Sequence, residues 1–155
     1  MANRTPLGLV VIVASLLAAC ESSPVSTGEA LALHNAEERW AARAVQSYSF
    51  ETRTSCFCDP ILLRWAQVDV VGNSITRVIL LDSATEVPLP ERSYFPTVAR
   101  LFALIHEARR TDYINDVVME FDPEFGYPTY INVITDESIA DGGSAHWARN
   151  LTPAP

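Results

Sequence analysis

Two spacings of apolar residues alternate along the chain and divide it into predicted helices and strands. Over Glu29–Gln46 and Val98–Arg110, apolar residues recur every three or four positions, which predicts amphipathic helices. Other segments alternate apolar and polar residues, as Tyr48-Ser49-Phe50 does, which predicts half-buried strands. The predicted strands are Ser47–Phe57, Ile61–Val71, Ser74–Leu81, Ile114–Phe121, Thr129–Thr135 and a short last one, Ala145–Leu151.

The order of these elements, α-β-β-β-α-β-β-(β), predicts an α+β fold. Gly72-Asn73 and Asp141-Gly142-Gly143 are hairpin signals that join neighbouring strands as antiparallel pairs. Helices flanked by hairpins favour two helices packed on one face of an antiparallel sheet of about five to six strands. Prolines within residues 82–96 predict a loop, and Thr97 is placed to cap the second helix.

Three positions call for irregular backbone. The alternation over Ile61–Val71 changes parity partway, and a bulge near Ala66-Gln67 would restore it. Asp59-Pro60 predicts a turn before this strand. Tyr127-Pro128 places an aromatic residue before proline, which favours a cis bond in a tight turn.

The N-terminus has the pattern of an export signal. Arg4 precedes an apolar run, Leu7–Ala19, of 13 residues. A membrane-spanning helix needs about 20 apolar residues to cross roughly 30 Å of hydrocarbon, so this run is too short to span. Its length fits the apolar region of a signal peptide.

The run ends in Leu17-Ala18-Ala19-Cys20, which resembles the lipobox of bacterial lipoproteins. The resemblance implies cleavage before Cys20, acylation of Cys20, and attachment to the cell envelope on the periplasmic side. Glu21 follows, where an Asp commonly retains a lipoprotein in the inner membrane, so the outer membrane is slightly favoured. The predicted parts are therefore a signal peptide over 1–19, a lipidated cysteine and tether over 20–28, a domain over 29–152, and a tail over 153–155.

The negative net charge of the chain excludes some classes of binding partner. The chain has a formal net charge of −8, and removing residues 1–19 leaves 10 Arg against 19 acids. Nucleic-acid binders gather basic residues on one face, so we expect no nucleic-acid partner. The same charge disfavours direct binding to anionic lipid headgroups, which leaves the lipid on Cys20 to hold the membrane.

The most specific chemical feature of the sequence is the cysteine pair Cys56 and Cys58. Exported cysteine pairs normally oxidise, which favours a disulfide. On an extended strand their Cα atoms would be about 6.5–7 Å apart, at or beyond the usual disulfide range, so bridging them requires a tight turn. The alternatives that stay open are a soft-metal pair for Cu(I) or Zn²⁺, thiol redox exchange, and free or intermolecular thiols.

The other candidate groups favour structural roles. The three histidines, His34, His106 and His146, are far apart and lack metal-ligand spacing. The acidic residues of the C-terminal third lack an EF-hand loop and are interpreted as solvated turns. The turn at Tyr127 and Pro128, with Tyr130, is a possible partner-binding surface. The sequence contains neither a nucleophile elbow nor a nucleotide-binding loop, so it predicts no catalytic residues.

An ordered set of short motifs resembles a family of bacterial envelope lipoproteins built on a domain of unknown function. The resemblance covers about residues 36–152 and implies no catalytic residues. The motifs are Trp40, Tyr48-Ser49-Phe50, Cys56-Phe57-Cys58, Gly72-Asn73, the Thr97 helix with Leu101-Phe102 and Ile105, Phe121-Asp122-Pro123, Gly126-Tyr127-Pro128-Thr129, Asp141-Gly142-Gly143 and Asn150-Leu151.

The function expected from the sequence is that of a lipid-anchored envelope protein without enzymatic activity, which binds or assembles with another envelope protein. Its only expected non-protein group is the covalent lipid on Cys20. The alternative is a periplasmic protein that handles a metal or exchanges thiols through Cys56 and Cys58.

Overall fold

Seven strands and three α-helices are seen in the computed structural model, which describes residues 27–154. The helices are α1 (Thr27–Arg43), α2 (Leu89–Arg92) and α3 (Val98–Ala108), with a 3-10 helix at Pro60–Leu63. The strands are β1 (Tyr48–Ser55), β2 (Ala66–Val71), β3 (Ser74–Leu80), β4 (Thr85–Glu86), β5 (Ile114–Phe121), β6 (Pro128–Thr135) and β7 (Ser144–Pro153). The predicted signal peptide and Cys20 lie outside the described residues.

The strands form one antiparallel sheet in the order β4-β3-β2-β1-β7-β6-β5. The predicted α+β class is confirmed. The described residues form seven strands rather than the predicted five to six, and three α-helices rather than two. The added elements, β4 and α2, lie in the segment that was predicted to be a loop. Val87 there is buried, and its N–H donates to the Val78 carbonyl at 2.9 Å. An edge strand tolerates the prolines around it because its outer side needs no partner.

The hydrophobic core lies on one side of the sheet, where α1 and α3 meet it. Trp40 of α1 packs edge-on against Tyr48 of β1, with ring centroids 5.5 Å apart. The Tyr48 hydroxyl also accepts a 3.0 Å hydrogen bond from the Val98 N–H at the start of α3. The alternation predicted for β1 is confirmed: Tyr48 and every second residue to Thr54 are buried, and those between them are half-buried.

The second predicted strand begins five residues later than expected. Pro60–Leu63 is a 3-10 helix, and the Asp59 carboxylate caps it by accepting from the Ile61 N–H at 2.9 Å. The change of parity therefore marks the junction of this helix with β2, and the predicted bulge near Ala66-Gln67 is wrong. The irregularity in this hairpin falls instead between Asp69 and Val70.

Three local predictions about turns and caps have clear outcomes. Gly72 and Asn73 have φ values of 56° and 62°, as a two-residue hairpin turn requires, which confirms that signal. Thr97 caps α3 by accepting from the Arg100 N–H. No peptide bond among the described residues is cis, so the expectation for Tyr127-Pro128 is wrong.

The turn before β6 is shaped by other contacts. The Asp122 carboxylate accepts from the N–H groups of Glu124 at 2.9 Å and Phe125 at 2.6 Å. Gly126 has φ +85° and lies so close to α1 that a Cβ there would collide with the Ala36 carbonyl.

Helix α1 begins at Thr27, two residues before the predicted start at Glu29. Within residues 27–154, no helix combines the length and apolar character needed to span a bilayer.

Candidate functional site

Cys56 and Cys58 form a disulfide with Cα atoms 5.2 Å apart. The separation is shorter than on an extended strand because β1 ends at Ser55 and the chain bends at once. Phe57, between the two cysteines, is 85% exposed. In this bridged state neither sulfur is a thiolate, the form in which cysteine ligates metals.

A pocket of about 390 Å³ opens beside this disulfide, on the side of the sheet that carries the core. It lies between the end of β1, the start of β7, the segment before α3, and α3 itself. Its apolar walls are Leu62, Phe95, Pro96, Leu101 and Leu104, and Cys56 closes one side. Three polar side chains at its inner end, those of Thr54, Ser144 and His146, form one hydrogen-bonded group, and the exposed Ser93, Tyr94 and Arg100 also line it.

His146 is held between two hydroxyl groups. The pairing of β1 with β7 places Thr54 opposite His146, and Thr54 Oγ1 is 3.1 Å from His146 Nδ1. On the other side of the ring, His146 Nε2 is 3.1 Å from Ser144 Oγ. Burial lowers the pKa of His146 to about 4, so the ring is neutral at neutral pH. A neutral imidazole donates from one nitrogen and accepts at the other, and each nitrogen faces a hydroxyl.

The other two histidines are elsewhere. His34 is exposed and lies 3.3 Å from Glu38 on α1. His106 Nε2 is 2.5 Å from Glu37 Oε1, between α3 and α1. Over residues 27–154, no cluster of three or more His, Cys, Asp or Glu side chains is placed to bind a metal ion.

A larger hollow of about 820 Å³ lies between the end of α3 and β5. Charged residues of both signs line it, among them Arg109, Arg110, Asp112 and Asp116. These charges can be solvated or neutralise one another in place, so the hollow has less of the apolar character typical of ligand sites.

The opposite side of the sheet carries a row of stacked aromatic and arginine side chains, which we call the ladder. It consists of Trp65, Arg53, Trp147, Tyr130 and Arg149. The Arg149 guanidinium carbon is 3.9 Å from the Trp65 ring centroid, and that of Arg53 is 4.5 Å from the Trp147 ring centroid. The Tyr130 and Trp147 rings continue the row with centroids 5.5 Å apart.

Strand pairing produces the ladder. Arg53 of β1 is opposite Trp147 of β7, which is opposite Tyr130 of β6. The ladder residues Arg53, Trp65, Trp147 and Tyr130 are half-buried, and Arg149 is exposed. Arg149 also donates to Glu51 at 2.8 Å. Arg53 Nε is buried without a hydrogen-bond partner in the described part of the chain.

The structure separates the residues of the predicted partner-binding turn. Tyr127 and Pro128 are buried in the core, so their side chains form no exposed surface. Tyr130 belongs to the ladder. The sequence pattern does not identify Trp65, Arg53, Trp147 or Arg149 as a site, although Arg53 occupies a polar position of the alternating strand. It also favours a structural role for His146, although Ser144 and His146 share the parity of the buried Ala148.

The comparisons with known proteins identify a family. A family model described as "Family of unknown function (DUF6174)" matches residues 32–153, which include all seven strands and most of α1. No curated protein and no solved structure matches the chain.

Proposed function

The chain belongs to the DUF6174 family, and from this premise we propose that it is a lipid-anchored bacterial envelope protein whose domain binds another envelope protein through the ladder. The domain has no enzymatic role in this proposal. The observation that carries it is the ladder itself, a row of stacked Trp, Tyr and Arg side chains, all half-buried except the exposed Arg149, on the side of the sheet opposite the core.

The residue types of the ladder support protein binding. Trp, Tyr and Arg are enriched at the few interface positions that carry most of the binding free energy. In the ladder each of these side chains is already stacked on a neighbour, which reduces the conformational entropy lost on binding. The row crosses β1 and β7, the central strands of the sheet, so its backbone is firmly held.

The charges of the ladder indicate what the partner offers. Arg53 and Arg149 contribute two cations in a chain whose net charge is −8, and Glu51 pairs with Arg149. The buried Arg53 Nε has no acceptor among the described residues. A partner surface with apolar area and exposed carbonyl or carboxylate oxygens complements this arrangement.

The lipid anchor rests on the lipobox resemblance at Cys20. We expect Cys20→Ala to abolish incorporation of labelled palmitate and to remove the protein from the membrane fraction. The matched control is the double change Cys56→Ala and Cys58→Ala, which removes the other two cysteines and should leave labelling unchanged. A Cys20→Ala protein that still incorporates palmitate would refute the anchor.

Site-specific photo-crosslinking in cells tests the ladder. A photoreactive phenylalanine at position 130 of the full chain is expected to give one discrete adduct with an envelope protein. The matched control carries the same group at Tyr113, which is 56% exposed and lies outside the ladder. Arg53→Ala in the position-130 protein should abolish that adduct.

Two results would contradict the ladder as the binding surface. The first is that the photoreactive group gives the same adducts at position 113 as at position 130. The second is that Arg53→Ala does not weaken the position-130 adduct. The anchor and the ladder are tested separately, because palmitate labelling does not depend on the partner.

A second candidate function is thiol–disulfide exchange at Cys56 and Cys58, and the exposure of Cys58 favours it. In such an exchange a dithiol peptide would be oxidised to its disulfide while Cys56 and Cys58 are reduced to thiols. Mass spectrometry of the full chain with a peptide dithiol would detect the mixed-disulfide intermediate and the reduced pair. A bridge that stays closed, with the peptide still reduced, would rule out this candidate.

The alternative of metal handling has less support. It requires prior reduction of the bridge, because cysteine ligates metals as the thiolate, and a Zn²⁺ site would need further ligands, because Zn²⁺ is almost always four-coordinate in structural sites. Metal analysis of the reduced full chain tests it directly, and stoichiometric copper or zinc would revive it.

A further inference from the structure

We propose that the pocket at His146 binds a small, electrically neutral molecule with an apolar body and a single hydroxyl or carbonyl group. The pocket is separate from the ladder, since Thr54 and Arg53 are neighbours in β1 and point to opposite sides of the sheet. The inference therefore stands independently of the proposed protein-binding surface.

The size of the pocket limits the ligand. Its volume of about 390 Å³ falls at the lower end of the roughly 300–1,000 Å³ typical of ligand sites. At about 30 Å³ for a water-sized group, the space holds on the order of a dozen heavy atoms. A lipid with two acyl chains exceeds that number several-fold, so the ligand is a small free molecule.

The walls and the polar end determine its chemistry. Phe95, Leu101 and Leu104 provide apolar surface along the pocket. The hydrogen-bonded group of Thr54, Ser144 and His146 donates and accepts hydrogen bonds without a net charge, because burial keeps the imidazole neutral. A ligand hydroxyl or carbonyl can join this chain of hydrogen bonds.

A charged ligand group would be poorly compensated inside the pocket. Burying an ion without a partner costs several kcal/mol, and none of the three polar groups there is an ion at neutral pH. Arg100, at the exposed rim, is already paired with Glu107 at 2.7 Å. The pocket therefore selects a neutral head group over a carboxylate or an ammonium.

Three probes that share one tail test this selection. The full chain, labelled with ¹⁵N-histidine and held in lipid nanodiscs, is titrated with 1-hexanol, hexanoate and hexylammonium. We expect 1-hexanol to shift the His146 ring resonances saturably, with an affinity at least tenfold higher than that of either ion. The His34 and His106 resonances serve as internal references, and His146→Asn assigns the third signal.

Two matched variants locate the binding. Leu104→Trp fills the pocket and is expected to abolish the hexanol shift. Leu89→Trp adds the same ring at a position that is 74% exposed and outside the pocket, and it should leave the shift unchanged. Circular dichroism of both variants verifies the fold.

The polar contact has its own variant. Ser144→Ala keeps the volume but removes one hydroxyl, and we expect it to weaken hexanol binding by at least threefold. The proposal is overturned if 1-hexanol gives no saturable shift, if hexanoate binds as tightly, or if the shift persists in a folded Leu104→Trp protein.

Discussion

The two sides of the same central strands differ in what holds their side chains. On the core side of β1, Tyr48 and Phe50 are buried against the helices. On the other side, Glu51 and Arg53 contact aromatic rings and opposite charges while remaining partly open to water. Both sides consist of cross-strand rows, but only the core side removes large apolar surfaces from solvent. We therefore expect the core side to provide most of the stability and the ladder to be available for recognition.

The pocket at His146 is an exception within the core side. At one end of β1 the space beneath the sheet is filled by the rings of Trp40, Tyr48 and Phe50. At the other end it is occupied by the hydroxyl of Thr54 and the ring of His146, with a pocket between them and α3. One strand thus packs tightly at its start and leaves a pocket at its end.

The largest effect is expected from truncating the core. Phe50 is 1% exposed, and Phe50→Ala removes its ring from the packed side of β1. We expect about 3–5 kcal/mol less stability, from lost burial and the cavity left behind. Urea unfolding measures the difference, and Phe57→Ala, at an exposed position, is the control that should stay within about 0.5 kcal/mol of the wild type. A loss below about 1.5 kcal/mol would show that the core side does not dominate stability.

The next effect concerns the pH dependence of stability at His146. Burial lowers the folded-state pKa from 6.5 to about 4, so between these values the unfolded chain binds more protons than the folded one. The stability contributed by the neutral ring is therefore complete above pH 6.5 and is lost as the pH falls towards 4. We expect a loss of about 2 kcal/mol, less than the whole shift would give, because the ring is only partly buried.

Comparison with His146→Asn isolates this term from the protonation of carboxylates, which both proteins share. The stability of the wild type relative to the variant, from urea unfolding at a series of pH values, should fall between pH 6.5 and 4. A constant difference across this range would mean that His146 keeps an ordinary pKa and that the pocket does not exclude the charged ring.

What could be predicted from the sequence was mainly local. The spacing over α3, the Thr97 cap and the Gly72-Asn73 turn each depend on a few neighbouring residues, and all were predicted correctly. The short elements β4 and α2 were missed because prolines dominate that segment, and burial of Val87 there depends on contacts with distant residues.

Both candidate sites depend on long-range pairing that no local pattern contains. Thr54 and His146 are 92 residues apart in sequence, and only the register between β1 and β7 brings them together. The same register places Arg53 opposite Trp147 and so forms the ladder. A strand pattern shows which residues share a face, but it does not show which strand lies alongside.

A smaller effect on stability is expected from the ladder. Trp147 contacts the guanidinium of Arg53 and the ring of Tyr130 at its half-buried position. We expect Trp147→Ala to cost about 1–2 kcal/mol, the range of cation–π and aromatic pair contributions. The same change should abolish the position-130 adduct in the crosslinking experiment. A loss of stability equal to that of Phe50→Ala would mean that the ladder packs as a second core. A position-130 adduct that Trp147→Ala leaves unchanged would mean that Trp147 is not part of the binding surface.

The smallest effect is expected from the ion pair at the edge of the ladder. Glu51 and Arg149 lie 2.8 Å apart, but more than half of the Arg149 side chain is exposed. Exposed pairs of this kind contribute about 0.2–1 kcal/mol, because water screens the charges and both side chains lose rotational freedom. A double-mutant cycle with Glu51→Gln and Arg149→Gln measures the coupling, and the cycle cancels the separate loss of the contact between Arg149 and Trp65. We expect this coupling to decrease further at 1 M salt, where the screening length is about 3 Å. A coupling energy above about 2 kcal/mol that does not change with salt would mean that water is excluded from the pair. In that case the ladder would not be open to solvent, and the difference between the two sides of the sheet would not hold.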